Sequence, residues 1–305
     1  MQAAYRGRFA PSPTGPLHLG SLFTALAGFL QARANRGEWH LRIDDLDTPR
    51  CVPGAADDIL RTLERFHLHW DGPVVYQSRR RQRYQAAIER LREAGWLYPC
   101  RCSRRMLPTT GPYPGRCRRH PPPPGSGPHA LRVKVSPAPI VFTDRLQGEQ
   151  HSRLDQDCGD FVVFRRDGLH AYQLAVVVDD ADLGVTEVLR GIDLLDSTPR
   201  QIHLQRLLGL PTPDYCHLPV LVDPSGAKLS KQTGARPVGD ADPGPLLHRL
   251  LQWLGQQPPA ALARAAPAEI LAWAVAHWHP QRLSQRRQIV IMPEENQRQT
   301  PGDSA

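Results

Sequence analysis

Six residues near the start, Pro11-Ser12-Pro13-Thr14-Gly15-Pro16, constrain the fold more than any other feature of the sequence. Each Pro fixes φ and the Gly frees it, so the chain must turn sharply there. Residues 5–10, ahead of the turn, read as a short strand. Beyond it, Leu19, Leu22, Phe23, Leu26, Phe29 and Leu30 form one apolar stripe. That stripe predicts a helix from about Leu19 to Ala34, with Gly37 just past its end. His40-Leu41-Arg42-Ile43 reads as a second strand and runs into the acidic loop Asp44-Asp45-Leu46-Asp47. Strand, helix and strand in close succession open a parallel βαβ unit, so the fold class is α/β.

The pattern continues with helices near 54–67 and 80–95 around a Val74-Val75-Tyr76 strand. From 98 to about 128 it breaks into a stretch rich in Pro, Gly, Cys and Arg, including Pro121 to Pro124, which reads as a small inserted module with a linker. Strand signals return at Leu131–Val135, Phe161–Phe164 and Leu174–Val178. A helix near Thr198–Leu208 and a strand near His217–Val222 follow. Residues 240–279 look helical, with Leu246, Leu247, Leu250, Leu251 and Leu254 on one side, and the polar residues after them read as a tail.

The net charge of +8 suits a polyanionic partner, most simply nucleic acid, although a general preference for Arg would give the same excess. No apolar run approaches the length of a membrane span, and the start lacks the apolar core of a signal peptide, so a cytoplasmic protein is expected. In that compartment six cysteines do not make a disulfide framework. Three of them, Cys100, Cys102 and Cys117, fall within 18 positions and point to a metal. Soft thiolates in a module too small for its own core suit tetrahedral zinc, for which His120 is the fourth ligand that general zinc chemistry suggests.

Two stretches carry chemistry. A turn that passes from a strand into a helix aims backbone N–H groups at one spot, where the helix dipole adds positive potential. His18 stands at that helix mouth, and Gly20 would let a nucleotide approach the backbone. The second stretch is Lys228-Leu229-Ser230-Lys231-Gln232, after the Asp-Pro-Ser-Gly turn at 223–226. It holds two of the chain's three lysines, the third being Lys134, in a sequence that elsewhere takes Arg. A compact ammonium on a flexible stem can follow a triphosphate as charge develops on it.

Taken together, Pro11-Ser12-Pro13-Thr14-Gly15, Leu17-His18-Leu19-Gly20 and Lys228-Leu229-Ser230-Lys231 resemble the two signatures of class I aminoacyl-tRNA synthetases. Arg8-Phe9-Ala10, Leu41-Arg42-Ile43-Asp44-Asp45, Arg190-Gly191 with Asp193, and His217-Leu218-Pro219 are similar to the glutamyl branch. Only about seventy residues follow the lysine loop, where glutamyl-tRNA synthetases carry a large anticodon-binding region. The chain therefore resembles the glutamyl-Q tRNA(Asp) synthetase family, as does its wording at Leu68-His69-Trp70-Asp71-Gly72 and Ala175-Val176-Val177-Val178-Asp179-Asp180.

The resemblance implies a class I synthetase Rossmann-like parallel sheet with an inserted zinc-containing module and a short C-terminal helical region. Residues 1–97 would be the first half of the nucleotide-binding domain, and 98–170 the zinc module with an acceptor-type subdomain. Residues 171–236 would be the second half with the lysine loop, 237–280 the helical region, and 281–305 a flexible tail. It further implies ATP-dependent, tRNA-independent activation of L-glutamate and glutamyl transfer to queuosine at the wobble position of tRNA(Asp). His18 and Lys231 would be catalytic. ATP would meet His18, Gly20, Lys228, Leu229, Ser230 and Lys231, with Mg2+ accompanying it. Glutamate would meet Arg8, Phe9, Ala10, Pro11, Ser12, Asp44, Tyr172 and Arg190: the two arginines on carboxylate, Asp44 on the α-ammonium, Tyr172 as a hydroxyl donor.

Asp44 departs from the family's usual Glu by one methylene, so either the backbone moves in, a water bridges, or Asp45 shares the task. For zinc the resemblance implies Cys100, Cys102, Tyr113 and Cys117. Arg104, Arg105, Arg116, Arg118 and Arg119, beside the zinc module, are candidates for RNA phosphate contact. A monomer without membrane contact is expected. The rivals are a glutamyl-tRNA synthetase fragment charging a tRNA 3′ end, an inactive RNA-binding paralogue, and a pantothenate-synthetase type of nucleotidyl transferase.

Overall fold

The computed structural model describes residues 4–123, 125–228 and 238–292. Leu229, Ser230 and Lys231 of the lysine loop, and the Arg104 side chain, lie outside that description.

The opening unit forms as the Pro-rich turn requires. Strand β1 (Arg6–Phe9) leads through the turn into α1 (Leu19–Ala34) and then β2 (Glu38–Ile43), which pairs parallel to β1 with Arg6 opposite Glu38. Gly15 takes φ of 128°, a region closed to side chains with a Cβ. Gly37 is needed for a different reason: a Cβ there would lie 2.3 Å from the Tyr5 carbonyl oxygen, where the chain re-enters the sheet. Helix α2 (Ala55–Arg65), strand β3 (Val75–Tyr76) and helix α3 (Arg81–Glu93) complete this half, with β3 parallel to β2.

The chain then leaves the sheet through β4 (Leu97–Cys100), the short helix α4 (Arg116–Arg119) and β5 (Ala130–Val133). Strand β6 (Ile140–Asp144) and β7 (Gly148–Ser152) form a hairpin, followed by α5 (Leu154–Asp157) and β8 (Phe161–Phe164). Strands β4, β5 and β8 make a small antiparallel sheet. The second parallel half consists of α6 (Tyr172–Asp182), β9 (Glu187–Gly191), α7 (Thr198–Leu208) and β10 (Asp214–Leu218). After it come β11 (Val220–Val222), α8 (Pro243–Trp253), α9 (Pro267–Ala276) and β12 (Gln288–Val290).

In this half the strand order is β7-β6-β10-β9, so the inserted segment contributes β6 to the same sheet as β9 and β10. Strand β9 comes alongside β1: the Thr186 N–H donates to the Arg6 carbonyl at 2.9 Å, and the Arg6 N–H to the Thr186 hydroxyl at 2.9 Å. Strands β2 and β3 thus extend to one side of β1, and β10 and β6 to the other side of β9. A doubly wound sheet whose order reverses in this way leaves a crevice outside the carboxyl ends of the two central strands.

Three expectations need correction. Leu174–Val178, predicted as a strand, lies inside helix α6. Every residue from Leu174 to Asp180 is buried, so no exposed face betrays the helical period. The predicted strand His217–Val222 is split at Pro219, which has no N–H to give a ladder, into β10 and β11. The tail predicted from 281 does not hold for 281–292. Strand β12 pairs parallel to β11, and Leu283 and Ile291 are buried, the polar flanks having hidden a three-residue strand.

The C-terminal helices join the main core rather than forming one of their own. Leu246, Leu247, Leu250, Leu251, Leu254 and Ile270 share a cluster with Leu22, Leu26 and Leu30 of α1. A buried polar thread runs through it: Trp278 Nε1 donates to Gln31 Oε1 at 2.7 Å, and Gln31 Nε2 donates to Glu187 at 2.9 Å. The Tyr5 hydroxyl donates to the same Glu187 oxygen at 3.0 Å. No helix among the described residues is long and apolar enough to cross a membrane.

Candidate active site

The crevice at the carboxyl ends of β1 and β9 is a cleft of about 590 Å³. Arg8, Phe9, Ala10, Pro11, Ser12, His18, Gly20, Asp44, Tyr172, Arg190 and Lys228 all line it. Every described residue expected to meet glutamate or ATP is therefore at one place, although they come from positions 8 to 228. Arg42, Asp193, Leu194 and Pro219 also line it and were not named as site residues.

His18 is the N-cap of α1: its Nδ1 accepts from the Ser21 N–H at 3.3 Å, and its Nε2 meets the Ser21 hydroxyl at 3.0 Å. The ring is thereby fixed at the helix mouth, where backbone donors and the helix dipole favour an anion. Lys228 reaches across to Asp193, with Nζ 2.7 Å from Oδ2.

Two layers of buried charge underlie the cleft, and they differ. In the first, Arg42 is fully enclosed and gives its Nε to Asp44 at 2.6 Å and its Nη1 to Asp180 at 2.6 Å. Arg8 joins them, its Nε donating to Asp180 at 3.2 Å. Asp179 accepts from Arg80 at 2.6 Å, from Gln77 at 2.8 Å and from the Tyr84 hydroxyl. Burial pushes the Asp180 carboxyl up, but Arg8 and Arg42 outweigh it and hold the group below its ordinary value. Burial wins at Asp44, which is raised although Arg42 opposes it. Asp44 thus carries an Arg42 fork on its oxygens, while Asp45 turns away, accepting from the Ser78 N–H at 2.7 Å and the Ser78 hydroxyl at 2.6 Å.

The second layer is Arg190, which is 4% exposed. Its Nε donates to His217 Nε2 at 3.0 Å and its Nη1 to Gln201 Oε1 at 2.8 Å. Its Nη2 donates to the Thr198 hydroxyl at 2.8 Å and to the Leu194 carbonyl at 3.3 Å. All four acceptors are neutral, and among the described residues no carboxylate forms an ion pair with it. Burial accordingly depresses this guanidinium; Tyr172 opposes the effect and Arg8 adds to it. An Arg kept in a dry site without a counter-ion is costly unless a ligand supplies one.

Away from the cleft, the Sγ atoms of Cys100, Cys102 and Cys117 lie within 4.8 Å of one another. The Tyr113 hydroxyl is 3.6 Å from Cys100 Sγ and 3.7 Å from Cys102 Sγ, and Cys102 and Cys117 are 3.5 Å apart. A tetrahedron with metal–sulfur bonds of about 2.3 Å has edges of about 3.8 Å, so four donors spaced in this way fit a zinc ion. His120 is exposed and outside the group. Burial raises the Cys117 thiol, but the Arg101 backbone N–H and bonds from Cys102 and Tyr113 outweigh it, giving about 7. Around this group, Arg132 lies over the Tyr113 ring at 3.9 Å and donates to Cys100 Sγ at 3.3 Å. Of the arginines named for RNA contact, Arg105, Arg116, Arg118 and Arg119 are exposed, and Arg118 pairs with Asp160 at 3.2 Å.

Comparison with known proteins agrees with this geometry. The family model described as tRNA synthetases class I (E and Q), catalytic domain, matches residues 4–110 and 124–242. A protein of Methylococcus capsulatus named glutamyl-Q tRNA(Asp) synthetase is 58% identical over 290 residues, covering 95% of this chain and 96% of its own. A protein of the same name from Aromatoleum aromaticum is 53% identical over 305 residues, covering 98% and 93%. The chain belongs to the glutamyl-Q tRNA(Asp) synthetase family.

It is thus a class I tRNA synthetase-type ligase, as its family is. The fold agrees with a solved glutamate-tRNA synthetase from Elizabethkingia anophelis: TM-score 0.81, 24% identity, 96% of this chain and 69% of that one. A glutamate tRNA ligase from Elizabethkingia meningosepticum, solved with its amino acid, gives TM-score 0.81 at 25% identity over 96% and 68%. Three buried residues around Arg190 were missed as part of a site in the sequence: Thr198, Gln201 and Asp144, the last bound to His217. No local signal marks them, because α7 also carries Arg200, His203, Gln205 and Arg206, and Asp144 follows Thr143 in β6. Arg42 and Asp180 enter the sequence reading only through the resemblance of residues 41–45 and 175–180. Their signal was charge inside Leu41-Arg42-Ile43 and at the end of Ala175–Asp180.

Proposed function

We propose that this chain activates L-glutamate with ATP, without requiring tRNA, and then transfers the glutamyl group to queuosine at the wobble position of tRNA(Asp). The observation that carries the reading is Arg190, a buried cation on the cleft wall with only neutral partners, which suits a substrate carboxylate. The names of the full-length relatives support the RNA and the modified base.

In the first step an oxygen of the α-carboxylate attacks the α-phosphorus of ATP, forming glutamyl-adenylate and releasing pyrophosphate. Positioning and charge stabilisation suffice here, and no general base is needed. His18 and the lysine loop, with Lys231 its catalytic member, would meet the phosphates, and Gly20 and Lys228 the nucleotide. Mg2+ arrives with ATP as part of that substrate. Arg8 and Arg190 would receive carboxylate, Tyr172 would add a donor, and Ser12 and the 9–11 backbone would shape the pocket. Asp44 would receive the ammonium with the lone pairs that Arg42 leaves. In the second step a hydroxyl of queuosine's ring attacks the carbonyl carbon, AMP leaves, and the hydroxyl proton passes to the departing phosphate.

The test is transfer of labelled glutamate to tRNA(Asp) with and without queuosine, followed by nuclease digestion. Label is expected only on the queuosine-containing anticodon fragment. Label on the 3′ terminal fragment would make the protein a glutamyl-tRNA synthetase instead. Absence of glutamate-dependent exchange of pyrophosphate into ATP would make it an inactive paralogue.

Zinc at Cys100, Cys102, Tyr113 and Cys117 would tie β4 to α4 and hold the surrounding arginines in place. When bound it supplies folding free energy rather than chemistry at the cleft. Purified protein is expected to carry close to one zinc per chain by elemental analysis, and Cys117→Ser well below that. Equal zinc in both would remove Cys117 from the site.

A further inference from the structure

Arg190 is seated by more than its immediate neighbours. Strands β9 and β10 pair in parallel with Arg190 opposite His217. The His217 ring is fully enclosed and stacks on Tyr215, with centroids 6.1 Å apart at 11°. Its Nδ1 lies 2.6 Å from Asp144 Oδ2, and its Nε2 lies 3.0 Å from Arg190 Nε. Asp144 is itself enclosed at the end of β6, where its Oδ1 accepts the N–H groups of Leu146 at 3.0 Å and Gln147 at 2.9 Å.

These partners allow one form of the ring. Arg190 Nε can only donate, so His217 Nε2 must accept, and the ring proton must sit on Nδ1, facing the carboxylate. The other tautomer would turn a lone pair towards Asp144 and an N–H towards an N–H. The arrangement also solves an electrostatic problem. A carboxylate placed directly on Arg190 Nε would neutralise the guanidinium and repel an anionic guest. With an imidazole between them, Asp144 makes Nε2 a better acceptor while the positive charge stays unpaired. Four of Arg190's five N–H groups are taken by neutral acceptors, which leaves one on Nη1.

We infer that Asp144 and His217 are positioning residues that hold Arg190 charged and aimed for the substrate carboxylate, Asp144 acting by fixing the His217 tautomer. The inference rests on the proposed reading of Arg190 as a glutamate contact. It also gives the inserted segment, through β6, a hand in the amino-acid pocket, because Asp144 belongs to that segment and Arg190 does not.

The variant that tests it is Asp144→Asn. Asn Oδ1 can still accept the backbone N–H groups of Leu146, Gln147 and His217, but the amide N–H it places in the position of Asp144 Oδ2 faces His217 Nδ1 and so favours the wrong tautomer. In glutamate-dependent ATP–pyrophosphate exchange, its KM for glutamate is expected to rise about tenfold or more. The KM for ATP should stay within about twofold, a separation that general loosening of the fold would not produce. Nitrogen NMR of the ring should move from an Nδ1–H to an Nε2–H signature. An unchanged glutamate KM in folded Asp144→Asn, or an Nε2–H tautomer in the wild type, overturns the inference. Should Asp144→Asn not fold, His217→Leu and His217→Gln replace it. The amide oxygen of Gln can accept from Arg190, so Gln should recover most of the glutamate affinity that Leu loses, and equal KM values overturn the inference. Wild-type protein without glutamate-dependent exchange would instead sink the parent reading.

Discussion

Replacing Arg190 by Met is expected to cut kcat/KM for glutamate in pyrophosphate exchange by roughly a hundred- to a thousandfold, about 3–4 kcal/mol of transition-state binding. The same change should not lower the melting temperature. Met matches the length of the Arg stem and is neutral. It removes a cation that is 4% exposed and whose partners among the described residues, Gln201, Thr198, His217, a carbonyl and the Tyr215 ring face, are all neutral. Desolvating a charge without a counter-ion costs several kcal/mol, which offsets the hydrogen bonds lost. Activity and stability therefore part company at this position, as they commonly do at residues kept for function. Calorimetry together with exchange kinetics checks both halves. Near-normal glutamate kinetics in Arg190→Met would remove the residue from the pocket, and a large drop in melting temperature would mean that its role is structural.

Arg42→Met should do the reverse. Arg42 is completely enclosed and bonds to Asp44 and Asp180, with Asp179 3.8 Å from its Nε. Among the described residues, removing it leaves Asp44 without a cation and Asp180 with Arg8 alone, while Asp179 keeps Arg80. Breaking a buried pair from one side typically costs about 3–5 kcal/mol. Urea unfolding of Arg42→Met at neutral pH should show a loss of that order. A loss below about 1 kcal/mol would mean that water reaches the carboxylates and that the network is not dry.

These two arginines also indicate what the sequence could and could not disclose. The opening βαβ unit was readable because the Pro-rich turn, the stripe from Leu19 to Leu30 and the strand at Leu41 and Ile43 are local signals. Helix α6 was misread because its residues 174–180 are all buried, so the run has neither a 3.6-residue nor a two-residue period. Strands β6 and β7 escape a sequence reading because their hairpin, at the edge of the β9–β10 sheet, mixes Thr143, Glu149 and His151 into exposed positions and breaks any apolar run. The lining of the cleft was legible by resemblance, residue by residue. What lies behind the lining was not: Arg190 and Arg8 are two equal letters in the sequence. Only the fold reveals that one faces Asp180 and the other a neutral imidazole. That difference arises from strand order, which places β10 and β6 behind β9, and no local window contains it.

The hydrogen bond from Trp278 to Gln31 spans 247 positions of the chain, and it closes the core over α1. Strand β1, formed from the first residues, likewise has its neighbour β9 near position 187. Helix α1 packs on its neighbours β1 and β2, but the part of its surface that meets α9 and β9 stays uncovered until those late residues arrive. The kinetics of acquiring structure should therefore be governed by long-loop closure rather than by local helix formation. For such a topology, the first ninety or so residues are a committed sequence without a finished shape, exposed to proteases and to one another until the far end of the chain docks.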